Sequence, residues 1–421
     1  MKTVAIIAEY NPFHKGHIYH LNKALKITDA DYSVAIIGGN FLQRGQAAMW
    51  DKYTRAAMCL SSGIDLALEL PFPYATGSAM DFSMGAIGIL ENLGSIDYLC
   101  FGAENADINV LSEIAEIYVN EPSQYKTFLK NNLSEGMSYP LAREKAIISY
   151  TGNKDYVSII SSPNNILAIE YICALKKHNS SIKPVVIQRI QSGYHDIELN
   201  NDISSATAIR HFLETNKEII SETDILNEIK SGVSEEVFTL IKKTYAKTAP
   251  IHTNSLTPLL QSKLISHSDL SNICDLSPEI ANKLASLNLC NSYSGIIKEL
   301  KTKDVTHSRI ARSLIHLLLD YTDEDRNTFI NDGYAYYANI LGFKKASSKL
   351  IKNIHETSRI PIITKKADFI KYFDEYPDIR LDNAKKMWQL DTRATMLYNY
   401  LIYNTYGTKH NNDFNINLPI I

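Results

Sequence analysis

The chain has 421 residues, of which 45% are hydrophobic and 21% charged, and its formal net charge at pH 7 is −3. This length predicts two or three domains, and the composition is that of a globular protein rather than a disordered or fibrous one. The small net charge excludes a protein that binds polyanions through its bulk charge, but it allows a local basic patch.

The cysteines and apolar runs indicate a cytoplasmic protein. The five cysteines are scattered, with no CxxC pair and no Cys/His spacing typical of zinc sites. They are therefore predicted to be free, buried thiols: Cys59, Cys100, Cys173, Cys274 and Cys290. The N-terminal apolar run is broken at Glu9, which makes it too short for a signal peptide, and no run approaches the length of a membrane span.

The first 200 residues alternate between short apolar runs and stretches with helical spacing. The predicted strands are 3–10, 32–39, 65–72, 97–104 and 183–190. The predicted helices between them are 17–27, 51–62, 78–93, 107–119 and 163–177. This order predicts an α/β fold of right-handed βαβ units, with a Rossmann-like parallel sheet that is covered on both faces. Ligands of such sheets bind at the carboxyl ends of the strands.

The segment EYNPFHKGH (9–17) follows the first predicted strand at that end. Pro12 ends the strand, Gly16 permits a tight turn, and a helix is predicted to begin near His17. Free N–H groups at a helix start attract an anion, and the imidazoles of His14 and His17 can donate to phosphate oxygens. The alternative is that both histidines are surface turn residues. Their position after the first strand of a βαβ unit favours a phosphate site.

A second candidate anion site is ISSATAIRHFLE (203–214). Ser204 or Ser205 is predicted to cap a helix that carries Arg210 one turn from its start. The alternative is a plain helix cap. Together with the first segment, it could hold both ends of a triphosphate.

The pattern changes after about residue 205. Residues 206–330 show helical spacing with polar linkers, and 334–421 mix aromatic-rich helical stretches with candidate strands at 337–343 and 359–366. Thr306 is predicted to cap a helix with three basic side chains near its start. These are His307, Arg309 and Arg312. They are either part of a solvated helix surface or contacts to RNA.

A basic run covers residues 344–366, in which the only acidic residue is Glu356. It is either a solvated face or a contact to RNA phosphates through Lys349 and Lys352. Nearby tyrosines could stack on unpaired anticodon bases, namely Tyr334, Tyr336 and Tyr337.

These motifs together resemble the HIGH superfamily of nucleotidyltransferases and class I aminoacyl-tRNA synthetases and, within it, the bacterial tRNA(Met) cytidine acetate ligase family. The resemblance covers most of the chain. One departure is Ala168, at a position after NNIL where the family usually has glycine. The resemblance depends on AEYNPFHKGHIYHL (8–21), GGNFLQRGQAA (38–48), LELPFPYATGSAMDFSMGAI (68–87), CFGAE (100–104), SPNNILAIEY (162–171), SSATAIR (204–210) and THSRIARSLIH (306–316).

The resemblance implies an ATP-dependent ligase that acts on the wobble cytidine of elongator tRNA(Met). Acetate would attack the α-phosphate of ATP to give acetyl-adenylate and pyrophosphate, and the exocyclic amine of cytidine would then take the acetyl group to form N4-acetylcytidine. ATP with Mg²⁺ would be a substrate, without a tightly bound cofactor or a dedicated metal cage.

The resemblance also implies site residues. His14 and His17 would be catalytic, and Gly38, Gly39 and Asn40 would lie near the acetate or the ribose. Candidate tRNA contacts are His307, Arg309, Arg312, Lys349 and Lys352. Candidate ATP contacts are Ile7, Ala8, Glu9, Tyr10, Asn11, Pro12, Phe13, His14, Lys15, Gly16, His17, Ile18, Tyr19, His20, Gly102, either Asn164 or Asn165, Arg189, Ile190, Ser204, Ser205, Thr207 and Arg210.

The expected organisation is a nucleotide-binding catalytic domain at 1–215, followed by a mainly helical tRNA-binding region at 216–421. Two alternatives are a small-molecule adenylyltransferase, acting on a nicotinamide or pantetheine derivative, and a non-catalytic RNA-binding protein. About 200 residues would have no evident role in the first, and the intact histidine and serine motifs argue against the second. The sequence leaves the oligomeric state open.

Overall fold

The computed structural model describes residues 1–189, 205–216, 219–266, 269–287, 291–302 and 305–421. The strands in these residues are β1 (Thr3–Ala8), β2 (Tyr32–Gly38), β3 (Phe41–Leu42), β4 (Gln46–Ala47), β5 (Leu66–Leu70), β6 (Tyr98–Ala103), β7 (Lys183–Gln188), β8 (Ala338–Phe343) and β9 (Ile362–Ile363).

The first helices cover the faces of the sheet and its connections. They are α1 (Lys15–Thr28), α2 (Lys52–Ser61), α3 (Phe72–Ala75), α4 (Ala79–Leu93), α5 (Ile108–Asn120), α6 (Ser123–Ser134), α7 (Tyr139–Thr151), α8 (Tyr156–Ile160), α9 (Pro163–Lys177) and α10 (Ala206–Asn216).

The later helices are shorter, apart from the last. They are α11 (Glu222–Lys230), α12 (Glu235–Thr244), α13 (Thr257–Ser266), α14 (Pro278–Ala285), α15 (Tyr293–Leu300), α16 (His307–Leu319), α17 (Asp323–Asn331), α18 (Ser348–Thr357) and α19 (Leu381–Tyr406), with 3₁₀ helices at Thr253–Leu256, Lys345–Ser347 and Lys366–Phe373.

The main sheet has the strand order β7-β6-β1-β2-β5-β8-β9. The five strands from the first 200 residues are parallel, which confirms the predicted Rossmann-like arrangement. Each predicted strand extends one or two residues too far at its carboxyl end. The apolar pattern continues there into the turns that frame the candidate site, so the pattern does not mark where the hydrogen-bonded ladder stops.

The distant candidate strands join this same sheet. β8 pairs antiparallel with β5 and β9 pairs parallel with β8. Both had been expected as strands at 337–343 and 359–366. The sheet therefore takes strands from both sides of residue 215 and is not divided at that point.

Helices cover both faces of the sheet, as the continuous apolar strands predict. Alternate side chains of β1 point to opposite faces: Val4 and Ile6 pack with α1, α2 and α12, while Ala5 packs on the other side with α4, α5 and α9. Ala168 of α9 is fully buried in this second layer. The sheet therefore gives the turns at its carboxyl edge a rigid support.

Two further expectations concern thiols and membranes. Cys59, Cys100, Cys173 and Cys274 are buried and free, as predicted, and Cys290 lies outside the described residues. Among the helices that the structure describes, none has both the length and the apolar character needed to span a bilayer.

Candidate active site

The His-x-Gly-His turn caps α1 with imidazoles instead of hydroxyls. The helix begins at Lys15, two residues before the predicted start, and His14 is its N-cap. His14 Nδ1 accepts a hydrogen bond from Gly16 N at 3.0 Å, and His17 Nδ1 accepts one from His14 N at 3.2 Å. This reciprocal arrangement is a capping box, and it fixes the two ring centroids 3.8 Å apart.

The capping bonds and the burial set the protonation of both rings. Burial, together with the smaller effects of the Arg189 and Arg210 charges, lowers the pKa of His14 to about 3. Burial, followed by the neighbouring His14, also holds the pKa of His17 well below its ordinary value. Both imidazoles are therefore neutral at pH 7. Because each Nδ1 accepts a backbone hydrogen bond, the proton of each ring is on Nε2. The site thus contains two neighbouring, neutral Nε2–H donors.

A buried arginine fixes the turns that follow β1 and β2. Arg55, fully buried in α2, donates from Nη1 to the carbonyl of Glu9 at 2.7 Å and from Nη2 to that of Gly38 at 2.9 Å. The carbonyls of Gly39 and Trp50 accept its other hydrogen bonds. Arg55 was missed by the sequence analysis. The sequence signal that could have identified it is a charged residue on the apolar face of the predicted helix 51–62.

The second predicted anion site lies against the first. Ser205 caps α10, its Oγ accepting from Ala208 N at 3.1 Å; Ser204, the other candidate, lies outside the described residues. Arg210 donates from Nη1 to the carbonyl of Asn11 at 2.8 Å, and from Nη2 to Thr207 Oγ1 at 3.1 Å. The structure thus brings together the two segments that the sequence analysis paired.

The start of α9 separates the roles of the two candidate asparagines. Asn165 is 1% exposed, and its backbone N–H donates to Glu104 Oε2 at 2.9 Å. Asn164 is only partly buried, and its Oδ1 accepts from Arg189 Nη1 at 3.3 Å. A Cβ on Gly102 would lie 3.1 Å from the aliphatic stem of Arg189. The glycine therefore makes room for that side chain. Ile190 lies outside the described residues.

The turn after β2 is joined to α2. Asn40 is 3% exposed, and its Oδ1 accepts from Lys52 N at 2.8 Å, so this side chain positions the start of α2. Lys52 Nζ lies 2.8 Å from Glu69 Oε1 and 3.1 Å from Asp413 Oδ2. All three ionic side chains are almost fully buried. The sequence pattern alone does not indicate this cluster.

The remaining residues of the first segment differ in accessibility. Lys15 and Tyr19 are exposed, whereas Asn11, Pro12 and Phe13 are buried. The Glu9 carboxylate accepts from Gln43 N at 3.1 Å, which joins the first turn to the β3–β4 hairpin.

The predicted cap of α16 is confirmed, and its basic residues differ in accessibility. Thr306 Oγ1 accepts from Arg309 N at 3.3 Å. Arg312 is largely buried, with its Nε 3.1 Å from Asp275 Oδ2, while His307 and Arg309 are exposed. Arg309 is the freer of the two arginines, since its Nε is 4.0 Å from Asp275.

Lys349 and Lys352 are exposed on α18, at the other edge of the sheet. Lys344, before α18, donates through its backbone N–H to the carbonyl of Asp65, directly before β5, at 2.9 Å. Strands begin at that edge, whereas the histidine turn lies where they end. The structure therefore does not bring these lysines together with His307.

The stacking role expected for three tyrosines is wrong, because the packing of the core buries their rings. Tyr334 is 7% exposed, Tyr336 2% and Tyr337 1%. The Tyr337 hydroxyl donates to Asp391 Oδ2 at 2.7 Å. These rings stabilise the fold and are not accessible to nucleic-acid bases.

Comparisons with known proteins agree along the whole chain. The family model described as HIGH Nucleotidyl Transferase matches residues 1–413. The tRNA(Met) cytidine acetate ligase of Acetivibrio thermocellus is 36% identical over 425 residues, covering 100% of both chains. That of Halothermothrix orenii is 35% identical over 441 residues, covering 100% of this chain and 99% of its own.

Solved structures give the same result. Thermotoga maritima TmcAL bound with alpha-thio ATP superposes with a TM-score of 0.90 and 28% identity over 100% of both chains. The apo form of the same protein gives a TM-score of 0.92 and 29% identity over 100% of this chain and 99% of its own. The resemblance inferred from the motifs is therefore confirmed.

Proposed function

The chain belongs to the HIGH nucleotidyl transferase family and, within it, to the tRNA(Met) cytidine acetate ligases, and from that membership we propose how its residues carry out the reaction. Its function is the ATP-dependent acetylation of cytidine in tRNA(Met). The acceptor is the wobble cytidine of the elongator tRNA, in the cytoplasm, and the product is N4-acetylcytidine. ATP enters with Mg²⁺ as a substrate.

The first step activates acetate at the α-phosphorus of ATP. A carboxylate oxygen of acetate forms a bond to phosphorus as the bond to the β-phosphate oxygen breaks, giving acetyl-adenylate and pyrophosphate. The Nε2–H donors of His14 and His17 stabilise the charge that develops on the phosphate oxygens. Neutral donors suit this step, since they hold the phosphate without having to lose a proton.

The second step transfers the acetyl group. The exocyclic amine of cytidine attacks the acetyl carbonyl, a C–N bond forms, and the C–O bond to AMP breaks. The amine loses one proton, and AMP leaves with the electron pair of the broken bond. Acetate by itself is a poor acyl donor, so holding the mixed anhydride beside the amine contributes much of the rate.

Several further side chains bind the nucleotide. Asn164 is the asparagine that contacts ATP, because its side chain is partly accessible, whereas Asn165 is buried and its Oδ1 accepts from Asn105 N at 2.9 Å. Arg189 lies across Gly102 beside it. Ser205 and Arg210 bind the phosphates from the other side of the turn, from the start of α10.

The observation that carries this mechanism is the reciprocal cap between His14 and His17, which leaves two Nε2–H donors side by side. A small-molecule adenylyltransferase would need the same donors. The match of the acetate ligases over the full length of the chain, beyond residue 215, favours the ligase.

The test is a reconstituted reaction with the purified chain, labelled acetate, ATP and transcribed elongator tRNA(Met), followed by nucleoside analysis. We expect labelled N4-acetylcytidine, AMP and pyrophosphate in equal amounts. Leaving out ATP or acetate should abolish the product, and tRNA(Met) with the wobble cytidine replaced by uridine is the matched control. Pyrophosphate release that needs neither acetate nor tRNA would contradict the proposal.

A further inference from the structure

A cleft lies between the β3–β4 turn and the start of α16. Its volume is about 330 Å³, at the lower end of the range of roughly 300–1,000 Å³ for small-molecule sites. That size suits one nucleotide rather than an extended strand. The side chains in its wall come from five separate segments and include Arg44, Gln46, Glu214, Asn254, Ser294 and His307.

The cleft adjoins the candidate active site. Gln43, next to Arg44, donates its N–H to the Glu9 carboxylate at 3.1 Å. Arg210, which holds the histidine turn, is a neighbour of both the site and the cleft: burial lowers its pKa, Glu9 raises it, Arg44 lowers it and Glu214 raises it. A group bound in the cleft would therefore be a neighbour of the phosphate site.

The turn that carries Arg44 is held rigidly. Gly45 adopts a φ of +73°, and a Cβ at this position would collide with the backbone of Ala311 and Arg312. The hydroxyl of the fully buried Tyr293 lies 2.9 Å from the carbonyl of Ala311 and 3.3 Å from that of Gly45. These contacts lock the tip of the hairpin onto α16 and fix the backbone from which Arg44 extends.

Arg44 is available for a ligand. Its side chain is exposed, and within the described parts of the chain it makes no hydrogen bond or ion pair. Arg210 and Arg312, in contrast, are bonded to protein groups. A guanidinium that is free in this way can grip a phosphate with two parallel hydrogen bonds or stack on a base.

The other side chains of the cleft favour a nucleotide over a simple anion. The Oδ1 of Asn254 accepts from Ser294 N at 3.0 Å, which leaves its amide N–H₂ as a donor toward a ligand. Glu214 supplies a carboxylate, which would repel a triphosphate but can accept a hydrogen bond from an exocyclic amine such as that of cytosine. A cation, an amide donor and a carboxylate acceptor together match a phosphate and a base.

We propose that this cleft binds one nucleotide of the RNA acceptor, with Arg44 contacting its phosphate, and that it positions the acceptor strand beside the acetyl-adenylate. This inference rests on the proposed function and adds a subsite to it. The β3–β4 hairpin then links the two halves of the reaction, because its backbone contacts Glu9 of the nucleotide site and α16 of the helical region.

The test compares Arg44→Gln and Arg44→Lys with a matched control, Lys177→Gln. Lys177 is an exposed cation at the end of α9, at the opposite edge of the sheet. Three quantities are measured on each preparation: the salt dependence of tRNA binding, acetylcytidine formation, and acetate-dependent ATP–pyrophosphate exchange. Circular dichroism confirms that each variant is folded.

For Arg44→Gln we expect the slope of log K against log salt to fall by about one. tRNA acetylation, as kcat/KM, should fall at least tenfold more than exchange does. Arg44→Lys should recover part of the binding, because its charge remains while the planar fork is lost. Lys177→Gln should behave like the wild type.

Two results would overturn the inference. If Arg44→Gln and Lys177→Gln had the same slope and the same acetylation rate, the cleft would not bind RNA. If exchange fell as far as acetylation, Arg44 would belong to the ATP triphosphate site. Failure of the proposed function would give a different result, because the wild-type chain itself would then produce no acetylcytidine. The salt slope of tRNA binding by Arg44→Gln would still test the cleft in that case.

Discussion

At the scale of single residues, the histidine turn serves two purposes with the same two side chains. Each Nδ1 accepts a backbone hydrogen bond that a serine or aspartate would otherwise accept, and this contact places the remaining proton on Nε2. A hydroxyl cap could satisfy the backbone but would not provide a second donor on a rigid ring. The structural and the chemical role can be separated by substitution.

The first prediction separates them at His17. Glutamine is a common residue at the third position of a capping box, so His17→Gln should keep the bond from His14 N while losing the imidazole Nε2–H donor. His17→Ala should lose both. We expect acetate-dependent ATP–pyrophosphate exchange to fall by about two orders of magnitude or more in both variants, the scale for one transition-state donor. The melting temperature should fall further for His17→Ala. Recovery of exchange in His17→Gln would show that the role of His17 is only structural.

The second prediction concerns the pH dependence of stability. The folded-state pKa of His14 is about 3 and that of His17 is also depressed, both because of burial, against about 6.5 in an unfolded chain. Between these values the unfolded state binds more protons, so stability is present above about pH 6.5 and is lost as the pH falls. At pH 5 the loss is up to about 2 kcal/mol per histidine.

Urea unfolding at pH 7 and pH 5 measures this loss. His17→Gln should show a smaller decrease than the wild type over the same interval, since it removes one of the two groups. An equal decrease in both proteins would contradict the assigned protonation of His17.

At the scale of secondary-structure elements, α2 positions the candidate nucleotide turns through a buried side chain. Its Arg55 holds the carbonyls of Glu9 and Gly38, at the ends of the central strands β1 and β2. The hydrogen-bond acceptors of Arg55 among the described residues are all carbonyls, and burying a guanidinium without a carboxylate partner costs free energy. The fold tolerates this cost where it fixes the geometry of the site.

The third prediction follows from that arrangement. Arg55→Lys keeps the charge, but its ammonium has only three donors, in a different geometry, for four carbonyls. Arg55→Met removes the donor from all four carbonyls, and each buried group left unpaired costs about 1–3 kcal/mol of stability. We expect the melting temperature to fall in the order wild type, Arg55→Lys, Arg55→Met. At a temperature where Arg55→Lys is fully folded, KM for ATP in the exchange reaction should still rise severalfold. A folded Arg55→Lys with wild-type KM would mean that Arg55 acts on stability alone.

Elements that depend on local chemistry could be predicted from the sequence. The βα alternation and the Thr306 cap are encoded in periods and capping residues a few positions apart, and the structure confirms both. The three helices α6 to α8 received no prediction. α6 buries few apolar side chains, principally Tyr125 and Leu129, so its apolar stripe is weak.

Features set by contacts between distant segments could not be predicted in this way. Tyr337 is aromatic and close to a basic run, which suggested nucleic acid, but its burial depends on packing against α19. The side chain of Asn40 is oriented by α2, and the role of Arg55 is visible only once three turns meet around it. The motifs of the candidate site can therefore be predicted from the sequence, whereas the buried side chains that position those motifs cannot.

At the scale of the whole molecule, the two predicted regions share their most buried ionic cluster. Lys52 and Glu69, from the first region, are joined to Asp413 near the end of the chain, and Lys366 Nζ lies 3.6 Å from both carboxylates. Breaking a buried pair by removing one partner is strongly destabilising, because an uncompensated charge remains. Residues 1–215 therefore depend on the rest of the chain for their stability.

The last prediction concerns how RNA would lie across this molecule. Arg309 is exposed at the start of α16, whose first residue, His307, lines the cleft beside the nucleotide site, whereas Lys349 and Lys352 lie on α18 at the opposite edge of the sheet. If both sets contact tRNA, only the first is close to the reacting cytidine. Distant phosphate contacts contribute binding that is equal in the ground state and the transition state, and such binding changes KM rather than kcat.

We therefore expect different kinetic signatures from the two edges. The double variant Lys349→Gln/Lys352→Gln should lower the salt slope of tRNA binding by about two and raise KM for tRNA, with the loss mainly in KM. Arg309→Gln should lower the slope by about one and should also lower kcat for acetylation, because a displacement of about 1 Å at the reacting amine can cost a hundredfold in rate. Lys130→Gln is the matched control, an exposed cation on α6. An unchanged slope in the double variant would show that the basic run on α18 is a solvated face, and tRNA would then bind only at the edge where the strands end.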